Sequence, residues 1–382
     1  MKGGIKNVKR VGLFTAIFFL VVVAFYMEPV FFPPKTEIKN DRTQQIEENQ
    51  MTTWKYQELQ ATGFSTYIDQ PVSKLEADFG SAHDRLASGF GFEIRYYQDA
   101  EKQLLLEANI QENKVKAVKV LNSANDQIAP FSFGMTMQDL TAFTTIYTNF
   151  TFDYQKEEIG IELMEEDMNY RPLIAFDNDT FAIMFFDQTT NGLFAVTYLD
   201  KESLLKLLPY QVFGDNLPTY QLDKEADWDK INRVKEQKGT ELLNQLREED
   251  SLPAYRQMLL FEEKTKHVLS SFLTKPEDYL TPERVEEWQA AVTSSKTMKR
   301  FSLTGDELTD ILEKNQLKQT TGLFTHPMID PTFSFLQWYS DPYTHERFMS
   351  ESADTLAIAF SKENVLVLLQ EEQEESSDSS DH

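Results

Sequence analysis

The sequence of 382 residues contains no cysteine. This absence excludes a disulfide scaffold, a thiolate metal site, a thiol nucleophile and an N-terminal cysteine that could carry a lipid. Basic residues are also scarce, because 37 lysines and arginines face 62 aspartates and glutamates, which gives a formal net charge of −25. Binding to a phosphate backbone needs clustered positive charge. The charge balance therefore argues against a nucleic-acid partner.

Familiar catalytic and cofactor motifs are also absent. The sequence has no Gly-x-Ser-x-Gly nucleophile elbow and no phosphate-binding loop that ends in Gly-Lys-Ser/Thr. The stretch Gly89-Phe90-Gly91 lacks the third glycine of a dinucleotide fingerprint, so we interpret it as tight entry into a strand. The run Asp177-Asn178-Asp179 lacks the later glutamate of an EF-hand loop and is typical of a hairpin turn.

One long apolar run is present, at residues 11–27, and a helix of this length would span about 25 Å. The basic residues before it are Lys2, Lys6, Lys9 and Arg10. Positive charge on that side predicts a single-pass anchor in the cell membrane, with residues 1–10 in the cytoplasm and the bulk of the chain extracellular. A cleaved secretory signal is the alternative, and it places the rest of the chain on the same side.

The remaining sequence divides by composition and periodicity. A polar segment at 28–62 is predicted to be a stalk. The acidic segment 371–382 has few hydrophobic residues, so we predict that it is a disordered tail. Between them we predict a folded domain at 63–210, a linker at 211–235 and a second folded domain at 236–370.

The region 63–210 favours strands. Phe92, Ile94 and Tyr96 alternate with more polar neighbours, which is the period of a half-buried strand. Further strands are predicted at 104–110, 115–121, 173–176, 181–186 and 193–199, and short helices at 72–79 and 137–143. This order suggests two copies of a helix-plus-meander unit, at 64–122 and 131–208.

From about residue 225 the hydrophobic period changes to that of helices. Helices are predicted at 228–247, 259–272, 304–317 and 333–339, and Thr281 with Pro282 marks the start of another. The last part of the domain is predicted to be a hairpin with strands at 355–360 and 365–369. Helices followed by a closing hairpin favour an α+β layer fold.

Several motifs in this second region, taken in order, carry a family resemblance. They are Asn244-Gln245-Leu246-Arg247, the helix that contains His267, and the stretch from Trp338 to Arg347 that contains His345. With these motifs the region resembles the CAP superfamily of cysteine-rich secretory proteins, antigen 5 and plant pathogenesis-related proteins. The region 63–210 resembles the CAP-associated N-terminal domain of Gram-positive bacterial proteins, on the glycines at 80, 89 and 91.

The resemblance implies a fold and a cleft. The implied fold is a mainly β N-terminal domain with short helices, followed by a CAP-like α-β-α sandwich. Family members hold two histidines and two acidic residues in a cleft that can bind a divalent metal. Here His345 matches the later histidine, but neither residue at 278–279 is histidine, and an apolar residue replaces the family glutamate within 321–324. The resemblance therefore implies a degenerate CAP domain without a cofactor, and a zinc ion is the alternative.

We predict that His345, Tyr343, Tyr339 and His326 line what is left of that cleft. The predicted function is a non-catalytic binding or interaction protein of the bacterial cell envelope, whose partner is a cell-wall polymer, a lipid or an envelope protein. One alternative is a metal-assisted hydrolase that uses His345 with His326 and a nearby acid such as Glu346. The other alternative is a structural spacer for envelope assembly.

Overall fold

The computed structural model describes residues 55–99, 104–121, 128–293 and 299–371. The predicted anchor at 11–27, the predicted stalk up to residue 54 and the tail from residue 372 lie outside these ranges. Among the residues that are described, no helix is both long enough and apolar enough to cross a membrane.

The N-terminal half, residues 55–213, is built mainly from strands. Its strands are β1 (Glu58–Leu59), β2 (Asp84–Ala87), β3 (Glu93–Asp99), β4 (Leu104–Gln111), β5 (Lys114–Leu121), β6 (Asn149–Tyr154), β7 (Glu157–Glu162), β8 (Leu173–Phe176), β9 (Thr180–Phe186), β10 (Leu193–Asp200) and β11 (Gln211–Phe213). Its α-helices are short: α1 (Val72–Phe79), α2 (Met137–Thr141), α3 (Glu165–Tyr170) and α4 (Lys201–Leu207).

Eight of these strands form one sheet in the order β1-β8-β9-β10-β5-β4-β3-β2. Two antiparallel meanders, β3-β4-β5 and β8-β9-β10, meet edge to edge where β5 pairs with β10. The sequence units 64–122 and 131–208 thus contribute one meander each. That the two units are copies of each other remains a prediction. The hairpin β6-β7, which the sequence reading missed, forms a separate sheet with β11, a strand inside the segment predicted as linker.

The large sheet buries both of its faces. Because side chains alternate along a strand, Leu106 and Val118 pack on one side, in a core with Phe64 from the segment before α1. Ala117 and Leu121 point to the opposite side, into a core that they share with residues of the C-terminal half. The second face is therefore the surface on which the two halves of the chain meet.

The C-terminal half, residues 228–371, contains a four-stranded sheet with helices on both faces. Its helices are α5 (Trp228–Glu249), α6 (Leu259–Thr274), α7 (Pro282–Thr293), α8 (Gly305–Lys314), α9 (Pro331–Ser340) and α10 (Pro342–Phe348). Its strands are β12 (Phe301–Ser302), β13 (Thr320–His326), β14 (Ala353–Ser361) and β15 (Asn364–Glu371), in the sheet order β12-β13-β15-β14. The α+β class predicted from the sequence is confirmed.

Helix α9 lies between the two sheets and contacts both. Phe333, Leu336 and Tyr339 pack in the core shared with the large sheet, and Phe335 packs in the core under β14 and β15. The start of α9 is fixed by Asp330, whose carboxylate accepts a hydrogen bond from the Phe333 amide, with proline at the first helical position.

The next helix starts in the same way. Asp341 accepts hydrogen bonds from the amides of Tyr343 and Thr344, and Pro342 takes the first helical position of α10. These two capped starts place Tyr339 and His345 close together at the junction of the two halves.

Candidate functional site

Tyr339 and His345, two of the residues predicted to line the cleft, are in direct contact. His345 Nδ1 lies 2.8 Å from the backbone oxygen of Tyr339, and the centroids of the two rings are 4.6 Å apart. A carbonyl oxygen only accepts, so Nδ1 is the donor in this bond. His345 is 8% exposed and Tyr339 is 2% exposed. The second ring nitrogen, Nε2, is 3.8 Å from Asp250 Oδ2, too far for a direct hydrogen bond.

The Tyr339 hydroxyl lies between two carboxylates. It is 2.5 Å from Asp187 Oδ2 and 3.0 Å from Asp250 Oδ2. Asp187 follows β9 in the N-terminal half, and Asp250 caps the C-terminus of α5. We call Asp187, Asp250, Tyr339 and His345 the Tyr339 cluster. It joins the large sheet to the helices of the C-terminal half.

The pKa values of the two carboxyl groups are shifted in opposite directions. Burial disfavours the charged form of Asp187, but hydrogen bonds from Tyr339 and from Thr189 and Thr190 outweigh it and lower the pKa of Asp187. For Asp250, burial and the nearby charge of Asp187 raise the pKa. The phenol has a single proton, which it shares between the two carboxylates, with the shorter contact to Asp187. The cluster therefore holds one carboxyl whose pKa is lowered and one whose pKa is raised.

His326 lies in a different environment. It ends β13, where Nδ1 is 2.9 Å from Asn364 Oδ1 and the ring packs edge-on against Trp288 of α7. Burial lowers the pKa of His326, against the opposing hydrogen bonds with Asn364 and the backbone of Ala291. None of these partners belongs to the Tyr339 cluster. The alternation of β13 is the reason, since it turns Phe324 and His326 toward α7.

Tyr343 points into solvent. Its side chain is 75% exposed on the first turn of α10, and its backbone amide is held by Asp341. Thus, of the four residues that the sequence grouped, the structure brings Tyr339 and His345 together and places Tyr343 and His326 apart from them.

The donor set does not fit a bound metal. Within the described part of the chain, no group of three or more His, Cys, Asp or Glu side chains is placed to hold an ion. At His345 the reason is visible in the contacts, because one ring nitrogen is used by a backbone carbonyl and the two nearby carboxylates are used by the Tyr339 phenol. Zinc prefers nitrogen and carboxylate ligands that converge on one point.

A second buried polar group lies at the same junction, and the sequence reading did not find it. Lys119 of β5 is fully buried, and its ammonium group contacts Glu107, Asp330 Oδ2 at 2.6 Å and Asn109 Oδ1 at 3.1 Å. Thr332 donates to the other oxygen of Glu107 at 2.6 Å. We call these five residues the Lys119 network. It links the large sheet to the start of α9.

The network carries two carboxylates for one ammonium group. Burial raises the pKa of Glu107, and the two neighbouring carboxylates raise the pKa of Lys119 against the opposing effect of burial. The alternating Glu107-x-Asn109 and Ala117-x-Lys119 pattern was visible in the sequence. Nothing in the sequence showed that this strand face meets a helix start more than 200 residues later.

A third buried group surrounds Lys235 of α5. Its ammonium lies 4.4 Å from the ring centroid of Phe90, 5.5 Å from that of Trp228 and 5.7 Å from that of Phe360. Within the described residues Nζ has no hydrogen-bond partner, and burial lowers the pKa of Lys235 to about 7. Gly89 permits this packing, because its φ is +81° and a Cβ at that position would overlap the indole ring of Trp228.

Comparisons with known proteins agree with this architecture. Residues 68–210 match the family model described as CAP-associated N-terminal. A cysteine-rich secretory protein from Staphylococcus aureus subsp. aureus Mu50 has a similar structure, with a TM-score of 0.58 and 17% identity over 82% of this chain and 95% of that one. An extracellular protein containing an SCP domain from Bacillus anthracis str. Ames gives a TM-score of 0.60 and 17% identity over 84% and 98%. Among curated proteins no relative of the sequence is found.

Proposed function

We propose that this chain, which carries a CAP-associated N-terminal domain at residues 68–210 and has the fold of SCP-domain proteins, is a non-catalytic binding protein of the bacterial cell envelope. In this role the helices and sheet of the C-terminal half present a binding surface, and the N-terminal segment keeps the protein at the membrane. The partner is a wall polymer, a lipid or another envelope protein.

One observation carries the non-catalytic part of the proposal. A catalytic acid or base must reach a substrate, and a metal ligand must present a free donor atom. His345 and Tyr339 are buried. His345 Nδ1 is bonded to a backbone carbonyl, its Nε2 faces Asp250 at 3.8 Å inside the protein, and the Tyr339 hydroxyl is bonded to two carboxylates. Tyr339 therefore joins the two halves and His345 packs against it, and we propose that neither side chain takes part in a reaction.

Two features support a location outside the cytoplasm. The apolar run at 11–27 follows a basic segment, as in membrane anchors whose C-terminal side is outside. The two similar structures are described as a secretory protein and an extracellular protein. Protease treatment of intact cells tests the orientation, because the proposal expects the bulk of the chain to be digested and a cytoplasmic chain would be protected.

Binding and catalysis are tested in one experiment. The purified full chain is incubated separately with purified cell wall and with lipid vesicles, with and without added Zn²⁺. We expect it to sediment with one of the two fractions and to release no soluble fragments from either. Release of wall fragments that depends on Zn²⁺ and is abolished in His345→Ala would contradict the proposal. Failure to sediment with either fraction would exclude the wall polymer and the lipid, and would leave an envelope protein as the proposed partner.

A further inference from the structure

A cleft of about 230 Å³ opens between the large sheet and helix α5. Its lining includes Tyr96, Glu107, Leu121, Lys238, Gln245 and Thr332. Ligand pockets for drug-sized molecules enclose about 300–1,000 Å³. A cleft of this volume therefore suits a compact ligand, of the size of one sugar ring.

The helix wall of the cleft is polar where a packed helix face is normally apolar. Lys238, Leu242 and Gln245 line the cleft and are spaced by four and three residues, so they share one face of α5. The neighbouring Leu243 and Leu246 are buried in the two cores on either side. The helix is thus firmly packed next to the cleft, while the residues that face the cleft leave space open.

The hydrogen-bonded ion pairs around the cleft leave one carboxylate in excess. Lys238 is already used, because its ammonium is 2.9 Å from Glu241 and lies 5.1 Å from the ring centroid of Tyr96. Glu107, at the other wall, belongs to the Lys119 network, where it and Asp330 share a single ammonium group. An added positive charge beside Glu107 would balance this buried group.

We propose that the cleft binds a small hydroxylated ligand with one primary ammonium group, such as an amino sugar, and that Glu107 receives the ammonium. Each carboxylate oxygen has two lone pairs, so Glu107 can accept a further hydrogen bond while it keeps Lys119 and Thr332. Gln245 and Tyr96 supply polar atoms for the hydroxyl groups. This inference rests on the proposed binding function and specifies its ligand.

The test uses calorimetric titration of the full chain with D-glucosamine, N-acetyl-D-glucosamine and D-glucose. These sugars share a ring, and only the first carries an ammonium group. We expect glucosamine to bind, and the other two to bind at least ten times more weakly, because they lose a charge-assisted hydrogen bond. Equal binding of the three sugars, or no binding of glucosamine, would overturn the proposal.

Variants locate the site. Glu107→Gln should weaken glucosamine binding at least tenfold, whereas Glu263→Gln, the same change on the exposed side of α6, should leave it unaltered. Because Glu107→Gln also perturbs a buried network, Gln245→Ala provides a second variant at the rim, with an expected loss of about threefold to tenfold. If neither cleft variant changes the affinity, the site lies elsewhere and the proposal is wrong.

This result is separable from the proposed function. A chain that sediments with cell wall but ignores glucosamine keeps its role as a binding protein and loses only the ligand assigned to the cleft. If the chain binds glucosamine but sediments with neither wall nor vesicles, the cleft site is supported, and the proposed wall and lipid partners are contradicted.

Discussion

Replacing Tyr339 with phenylalanine removes the one hydroxyl that joins Asp187 of the N-terminal half to Asp250 of the C-terminal half. The ring stays, so its packing against Phe194 and His345 is preserved. A hydrogen bond to a charged group contributes about 1.5–3 kcal/mol. Asp187 keeps its bonds from Thr190, which limits the loss. We therefore expect Tyr339→Phe to lower the free energy of unfolding by about 2 kcal/mol at pH 7.

The assay is urea unfolding of the full chain, followed by tryptophan fluorescence. Tyr343→Phe is the matched control, because it removes a hydroxyl from a tyrosine that is 75% exposed on the next helix, and we expect no change. A loss below about 0.5 kcal/mol for Tyr339→Phe, or equal losses for the two variants, would refute the structural role of the cluster.

The two carboxylates should respond oppositely to amide substitution. The pKa of Asp187 is lowered by folding, so its charge contributes stability above the unfolded pKa of about 4, and this is lost as pH falls through the folded pKa. The pKa of Asp250 is raised, so its ionised form costs stability above that raised value. At pH 7 Asp187→Asn should destabilise the protein, and Asp250→Asn should be neutral or stabilising. The reverse order of stabilities would contradict the directions of the two pKa shifts.

Three further predictions concern the other buried groups. Gly89→Ala should cost more unfolding free energy than Gly91→Ala, because both glycines have positive φ but only the first meets the Trp228 ring, and equal losses in urea unfolding would contradict this. Lys235→Met should stabilise the protein most at pH 6 and progressively less toward pH 9. The reason is that folding lowers the pKa of Lys235 to about 7, so the unfolding free energy of the wild type rises by up to about 1.4 kcal/mol per pH unit above pH 7. A stability difference that does not change with pH would contradict a buried amine at this position. Lys119→Met should lower stability by about 3–5 kcal/mol, since it leaves two buried carboxylates without their cation, and a neutral result in the same assay would show that the network is unimportant.

Local elements could be read from the sequence where the pattern was strong. The helix at 72–79 and the strand at 173–176 were predicted with the bounds that the structure has. Val72, Leu75 and Phe79 repeat at the helical period, and 173–176 is a continuous apolar run followed by turn residues. The N-cap at Asp341 with Pro342, by contrast, lay beyond the predicted helix at 333–339 and was not recognised as the start of α10.

The Tyr339 cluster and the Lys119 network were beyond the reach of sequence reasoning. Tyr339 and Asp187 are 152 positions apart, and Lys119 and Asp330 are 211 positions apart. Their pairing depends on how the second face of the large sheet packs against α9, and no local period encodes that packing. His326 shows the same limit, because its closeness to His345 in sequence did not reveal that β13 turns it toward Trp288.

The central claim is that the Tyr339 cluster holds the two halves together, and that His345 supports Tyr339 in it and does not bind a metal or a substrate. Calorimetric titration of the metal-free full chain with Zn²⁺ tests it, when the wild type is compared with His345→Ala and with His326→Ala. The account predicts that the three proteins give the same heats, with a lower unfolding free energy for His345→Ala. One equivalent of Zn²⁺ bound by the wild type and lost in His345→Ala, under conditions where that variant is still folded, would contradict it.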